Sequence, residues 1–313
     1  MGALWAKFKY FDIPLLITSG LLLLIGLAVM YSTSLSGDTM QVFYKQTAYV
    51  AIGIAMFLGL AFYDYQRIAK INRYLYIGLI LALTYLLIFG DPIRGSARWI
   101  DFGVFNFQPA EFAKLIVVTG LSRWLYLRRG QINSWSSIAI TFLYAALPAF
   151  LILREPDLGS ALVVMALWFG ILLASPIKKS YLVVFVLIAA IVAGLGWEFF
   201  LHDYQKKRVE VFLDPNLDPR GKGYNVRQAI IAVGSGGWVG RGLGRGLQSQ
   251  LKFLPERQTD FIFASAAEEI GFVGCGVLVA LFILLMYRLI RIANYARDDL
   301  AKYMVTGILF LFF

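Results

Sequence analysis

A chain of 313 residues could make one or two soluble domains, but 59% hydrophobic residues against 15% charged ones, with a mean hydropathy of +0.71, exclude an ordinary water-soluble protein. The net charge of +10, from 29 Lys and Arg against 19 Asp and Glu, does not imply nucleic acid, because the positive charges stand in short clusters between apolar runs. One cysteine, Cys275, and one histidine, His202, exclude an intrachain disulfide and a Cys/His metal cluster.

The apolar runs have lengths that suit a hydrocarbon core of roughly 30 Å, which takes about 20 helical residues. In chain order they lie near 13–34, 47–64, 74–90, 109–126, 137–153, 158–175, 181–200 and 267–290, and each predicts a membrane span. A ninth begins near 303 and reaches Phe313 after about ten apolar residues, too few to cross, so the natural protein is expected to continue. The first run is followed by further spans and has no small-residue cleavage site, which predicts a retained anchor. The fold class is all-α and polytopic, a single transmembrane domain over 1–313 with one large loop at 202–266.

Short-loop charge sets the orientation. Lys7 and Lys9, Arg67, Lys70 and Arg73, Arg123, Arg128 and Arg129, Lys178 and Lys179, and Arg288, Arg291, Arg297 and Lys302 fall on one side if every run crosses. The opposite short connections hold only Lys45, Arg94, Arg98 and Arg154. The first set marks the cytoplasm, with the N-terminus in it. The 91–108 stretch and the 202–266 loop are then extracytoplasmic.

The long loop carries ten basic residues, among them Arg227, Arg241, Arg245 and Arg257. An excess of positive charge there suits a phosphate-bearing lipid, and equally a loop that touches anionic headgroups without selectivity. LDPNLDPRGKGYN (213–225) is turn-rich, and NVRQAIIAVGSGGW (225–238) predicts a short amphipathic helix closed by glycines. In GRGLGRG, alternating Gly and Arg could present backbone N–H groups and guanidinium forks to phosphate oxygens, or form a flexible linker. No G-x-x-x-x-G-K-[ST] nucleotide loop occurs.

Charges at the span ends are the sharper signal, since an ion in lipid is costly and is paired or functional. Glu111 and Lys114 stand at i and i+3 after Pro109, on one helix face, as a structural ion pair or as part of a substrate cavity. Arg154, Glu155 and Asp157 share a tight REPDLG connection, in which Asp157 is a candidate N-cap for the next helix. Glu268 and Glu269 lie two helical turns after Asp260, and one of them is expected to face the protein interior.

Four stretches carry a resemblance: RGSARWIDFGVFNFQPAEFAK (94–114), REPDLGSA (154–161), LDPNLDPRGKGYN (213–225) and QSQLKFLPERQTDFIFASAAEEIGFVG (248–274). In this order they strongly resemble the SEDS (shape, elongation, division and sporulation) family, to which RodA and FtsW belong. HDYQKKRV (202–209) and the PERQTDFIF region look more like the RodA, or elongation, branch. The resemblance implies a fold of ten transmembrane helices, of which about eight and part of a ninth are present. It implies a peptidoglycan glycosyltransferase that polymerises lipid II on the outer face of the bacterial cytoplasmic membrane. Implied partners are lipid II, a class B penicillin-binding protein that acts as transpeptidase, and the shape-determining membrane proteins of the elongation complex.

Glycan transfer to the 4-hydroxyl of an acceptor lipid II needs a base and a stabilised pyrophosphate leaving group, and conversion of an α-linked donor to a β-linked product suits one inverting displacement. Asp260 matches the family's essential aspartate and is the expected general base. Its plainer alternative is a helix N-cap. Arg94, Arg98 and Lys114 are the candidate stabilisers of pyrophosphate, with Arg241, Arg245 and Arg257 as loop-borne alternatives. Glu111 and Asp157 join them as candidate substrate contacts, and Trp99 is expected to stack on a sugar or to anchor at the interface. A divalent cation, magnesium or manganese, bridging Asp260 or Glu111 to pyrophosphate is compatible with this chemistry, although no metal signature demands one. Two other readings are a lipid II flippase, which would need intramembrane charges but no lone outward carboxylate, and a non-catalytic scaffold that activates the transpeptidase.

Overall fold

The computed structural model describes residues 11–313 except 36–39, 91–97, 102–105, 131, 200–205, 208–209, 212, 219–220, 252 and 255. Its helices are α1 (Ile13–Ser34), α2 (Met40–Ala61), α3 (Tyr65–Phe89), α4 (Pro109–Leu127), α5 (Trp135–Arg154), α6 (Leu158–Ala174), α7 (Lys179–Phe199), α8 (Lys222–Ser235), α9 (Leu247–Gln250), α10 (Ile262–Asn294) and α11 (Asp299–Phe312). Between α3 and α4 two-residue strands β1 (Ile100–Asp101) and β2 (Asn106–Phe107) pair antiparallel, Ile100 opposite Phe107. A helix overlies each apolar run expected to span. Five of them, α1, α2, α3, α5 and α10, are long and apolar enough to cross a bilayer, while α6 is a shorter apolar helix. Charge explains why α4 is not among the five: it carries Glu111, Lys114 and Arg123.

Several helices begin before their apolar runs. The second starts at Met40 instead of 47, and α3 starts at Tyr65 instead of 74. Asp64 caps α3 by accepting from the Gln66 amide at 2.9 Å, and Asp298 caps α11 through the Ala301 amide at 2.8 Å. Polar first turns extend a helix out of the hydrocarbon without adding to its apolar length.

The chain divides into two compact units, Met1–Ala61 with Val186–Leu285, and Phe62–Phe185 with Met286–Phe313. In the second unit α4 is central and packs on α3, α5, α6 and α11. Its buried stripe, Ala110, Ala113, Val117, Leu121 and Leu125, recurs at three- and four-residue spacing. Small residues at the top of that stripe allow close helix approach, which is how helices associate where lipid gives no hydrophobic drive. By contrast, α2 in the first unit has no buried residue, as expected of a helix whose solvent is lipid.

The first unit is organised around a break in α10. Gly271 has φ 68° and ψ −170°, which interrupts the helical ladder. The freed groups are taken up by the glycine-rich stretch after α8. Phe272 and Val273 amides donate to the Gly237 and Trp238 carbonyls at 2.9 and 3.0 Å, and Arg241 and Gly242 amides donate to the Glu268 and Glu269 carbonyls at 3.0 and 2.9 Å. Irregular backbone at such a place is tolerated only when protein satisfies it. GRGLGRG is therefore tied down at Arg241 and Gly242, whose amides are spent on α10 and are not open to a phosphate.

Gly240 and Gly271 face one another with positive φ, and a Cβ on Gly240 would overlap the Glu269 carbonyl while one on Gly271 would overlap the Gly240 amide. Alanine at either position is expected to cost about 1–3 kcal/mol, measured as a lower melting temperature of the purified protein. Gly78→Ala in α3, where the added Cβ meets nothing within 4 Å, is expected to leave the melting temperature unchanged or slightly raised.

Candidate active site

Asp260 ends a tight turn that leads into α10. The Thr259 and Phe261 amides donate to the Glu256 carbonyl at 3.1 and 3.2 Å, with Glu256 in the left-handed region at φ 47°. Three contacts hold the turn. Phe261 packs against the small apolar cluster of Ala232, Leu254 and Ala264. Gln258 Nε2 donates to Ser34 Oγ at 3.0 Å, tying the turn to the end of α1. Arg257, only 6% exposed, donates from its guanidinium to the Ser249 carbonyl, and its own carbonyl accepts from Ser265 Oγ at 3.1 Å.

This geometry separates Arg257 from Asp260 in role. Burial pushes the Arg257 guanidinium below its ordinary value and turns it into the protein, so it braces the turn in place of the leaving-group contact expected from sequence. The Asp260 side chain is exposed and makes no hydrogen bond or ion pair with a described residue. It does not cap α10, which begins two residues later. Of the loop guanidiniums, Arg241 Nε donates to the Ser235 carbonyl at 3.1 Å, while exposed Arg245 has no side-chain partner among the described residues.

Glu268 and Glu269 are both buried, where one inward-facing acid was expected. Glu268 accepts from the Gln248 amide at 2.8 Å, the Ser249 amide at 3.0 Å and Ser249 Oγ at 2.7 Å, so it fastens the start of α9. Glu269 Oε1 accepts from Ser32 Oγ and, at 3.4 Å, from the Gly244 amide, while its Oε2 is buried without a hydrogen-bond partner. Ser32 in turn accepts from the Gly244 amide at 2.5 Å, and its carbonyl accepts from Gln250 Nε2 at 2.9 Å. The buried run Ser32, Thr33 and Ser34 was missed as part of this site. Its signal was three consecutive hydroxyl residues ending an otherwise apolar helix.

The remaining candidates belong to the other unit. Arg94 lies outside the described residues. Arg98 Nε donates to the Glu155 carbonyl at 3.1 Å and Nη2 donates to the Pro156 carbonyl, so Arg98 seals the end of α5. Trp99 is 47% exposed. Glu111 and Lys114 form the expected ion pair at 2.7 Å, Glu111 being the exposed partner. Asp157 is the N-cap of α6, accepting from the Ser160 amide at 3.1 Å and Ser160 Oγ at 2.8 Å.

Glu155, which the sequence placed in the REPDLG connection without a role, is 3% exposed and neither carboxylate oxygen has a hydrogen-bond partner. Burial and then the Asp157 charge push its carboxyl up to about 7, against a smaller opposing effect of Arg98. A folded value above the unfolded 4.5 stabilises fully below the unfolded value, and that contribution is lost as pH rises through about 7. The melting temperature is therefore expected to fall as pH rises from about 4.5 to about 7 and to level off above that, and Glu155→Gln is expected to flatten this part of the profile.

Comparison with known proteins places this geometry in context. The sequence matches the FtsW/RodA/SpoVE family profile, described as a cell cycle protein, over residues 8–313. It is 36% identical over 309 residues to the peptidoglycan glycosyltransferase MrdB of Escherichia coli K12, covering 99% of this chain and 82% of that one. It is 34% identical over 313 residues to a probable peptidoglycan glycosyltransferase FtsW of Tolumonas auensis, covering 95% and 79%. In structure it resembles a chain of a peptidoglycan synthase complex solved for the coordination of polymerization and crosslinking, with a TM-score of 0.79, 26% identity and coverage of 96% and 84%. It also resembles the rod shape determining protein RodA of Thermus thermophilus, with a TM-score of 0.69, 24% identity and coverage of 96% and 81%. With the match running through both units, the chain belongs to the FtsW/RodA/SpoVE family of cell cycle proteins.

Proposed function

We propose that this protein is a peptidoglycan glycosyltransferase of the RodA-like, elongation type that polymerises lipid II at the outer face of the cytoplasmic membrane. The observation that carries the mechanism is Asp260: an exposed carboxylate without a partner among the described residues, on a turn that buried Arg257 holds in place. Relatives named as peptidoglycan glycosyltransferases support the activity, and the identity to MrdB supports the branch. The charge bias of the short loops supports the outer face.

In the proposed step Asp260 takes the proton from the acceptor 4-hydroxyl, and that oxygen attacks C1 of the donor sugar from the side opposite its pyrophosphate. The new C–O bond forms as the bond to pyrophosphate breaks, and the electron pair leaves with the phosphate. Of the loop guanidiniums named as candidates, Arg245 is the one without a side-chain partner among the described residues and is assigned to meet that charge. On the other unit Lys114 retains N–H groups beyond its bond to Glu111, and Trp99 offers an exposed ring, so both are assigned to headgroup contacts on their motif positions. Arg98 and Asp157 are assigned to shaping the connection between α5 and α6. No cluster of three or more Asp, Glu, His or Cys side chains among the described residues could hold a metal ion. A divalent cation bridging Asp260 or Glu111 to pyrophosphate would take its remaining ligands from substrate and water, and no step is routed through one.

The complex of polymerization and crosslinking among the structural neighbours supports a transpeptidase partner of the penicillin-binding class. The test uses the full-length protein with that partner in liposomes and labelled lipid II. Wild type is expected to give glycan ladders that persist when the transpeptidase serine is removed. Asp260→Asn is expected to lower polymer by about a hundredfold or more, with an unchanged melting temperature because the carboxylate supports no contact. Lipid II crossing the bilayer without polymer would favour the flippase reading, and full activity of Asp260→Asn would sink the assignment. Arg257→Gln should separate from it, costing about 1–3 kcal/mol of stability as the buried Ser249 carbonyl loses its donor.

A further inference from the structure

Away from the residues assigned to catalysis, the first half of α3 lies along the last half of α4, where Thr119 Oγ1 donates to Asn72 Oδ1 at 2.8 Å. Between them and α5 is a cavity of about 410 Å³ lined by Lys70, Arg73, Tyr76, Arg123, Trp124 and Tyr144, all within one unit. Its floor is finished internally. Asn72 Nδ2 donates to Tyr144 Oη at 2.8 Å, Tyr76 Oη donates to the Tyr144 carbonyl at 2.9 Å, and the two tyrosine rings stack at 4.1 Å. Gly120 leaves the space that the Tyr144 hydroxyl and Asn72 amide occupy.

The rim is not finished. Lys70 and Arg73 stand at i and i+3 on α3 and Arg123 faces the same cavity from α4, and none of the three has a hydrogen bond or ion pair with a described residue. Exposed Ile77 and Leu127 continue the lining as apolar surface. Three cations above an aromatic and aliphatic wall match an amphiphile with an anionic head and a hydrocarbon tail. Arg123 is twelve residues from Glu111 along α4, about 18 Å, so the cavity lies at the end of the helix opposite the Glu111 and Lys114 pair. Short-loop charge assigns that end to the cytoplasmic side.

We propose that this cavity binds the phosphodiester headgroup of an anionic bilayer phospholipid from the cytoplasmic leaflet, with Lys70, Arg73 and Arg123 on the phosphate and the acyl chain along Tyr76 and Ile77. A lipid, and not a soluble phosphate, is the occupant because the walls below the cations are hydrocarbon. The site is independent of the reaction assigned to Asp260.

The test is native mass spectrometry of the purified full chain, titrated with phosphatidylglycerol, phosphatidylcholine or glycerol 3-phosphate. Wild type is expected to retain phosphatidylglycerol in preference to phosphatidylcholine, with glycerol 3-phosphate a poor competitor at millimolar concentration. Each of Lys70→Gln, Arg73→Gln and Arg123→Gln should weaken retention roughly fivefold, and the triple variant about a hundredfold. The charge-preserving triple Lys70→Arg, Arg73→Lys and Arg123→Lys should retain it, which guards against loss of fold in the neutral variant. Equal retention of the two lipids, unchanged retention in the neutral variants, or competition by glycerol 3-phosphate as strong as by lipid would each overturn the proposal.

Discussion

The break in α10 at Gly271 is the constraint on which the first unit depends. A helix in lipid satisfies its own backbone, and a break leaves amides and carbonyls that lipid cannot partner. Here the stretch Gly237–Gly242 supplies both kinds of partner in register, which fixes the loop against the helix residue by residue. Close backbone approach then demands glycine at Gly240 and Gly271. An apparently loose, glycine-rich sequence is thus among the most constrained parts of the chain.

The same constraint distributes the acids. Glu268 and Glu269 stand just before the break and reach out to α9, to Gly244 and to Ser32 of α1, so their side chains hold the surrounding segments. In the other unit Asp157 caps α6 and Glu111 pairs with Lys114. Asp260 differs from these, and from Glu155, whose unpartnered oxygens are buried, in being both exposed and without a partner among the described residues. An acid committed to donors has its lone pairs occupied and is a poor base, whereas one left open on a braced turn keeps them for substrate.

Much of this was legible from apolar length. A run of about 20 apolar residues announces a membrane helix because the bilayer sets its length, and the Glu111 and Lys114 pair followed from helical spacing alone. Helix starts were less legible: Asp64 and Asp298 cap helices whose first turns are polar, and polarity hides a helix from a hydropathy reading. Arg257 and the glycine-rich stretch were misjudged for one shared reason. Sequence shows that a guanidinium or an amide can donate, but not whether a carbonyl of the same protein already receives it. Ser32 escaped because its partner, Glu269, is far away in sequence.

That distinction bears on how an anion could be held near Asp260. With the Arg241 and Gly242 amides spent on α10 and the Gly244 amide on Ser32, these amides of the loop cannot form a backbone nest for phosphate. On the proposed reading side chains then carry recognition of a pyrophosphate on this unit, with Arg245 open and Arg257 engaged with Ser249. Side-chain cations act at longer reach and with less geometric restriction than a nest, which suits a leaving group that must depart with its lipid at every cycle. A lone base also favours the inverting course: a retaining enzyme places a second carboxylate about 5 Å from the first to form a covalent intermediate, and Glu256, the nearest acid along the chain, is turned toward Thr259. In the proposed mechanism this turn supplies the base, one open carboxylate held in place by Arg257, Gln258 and Phe261, while a cation such as Arg245 meets the leaving group.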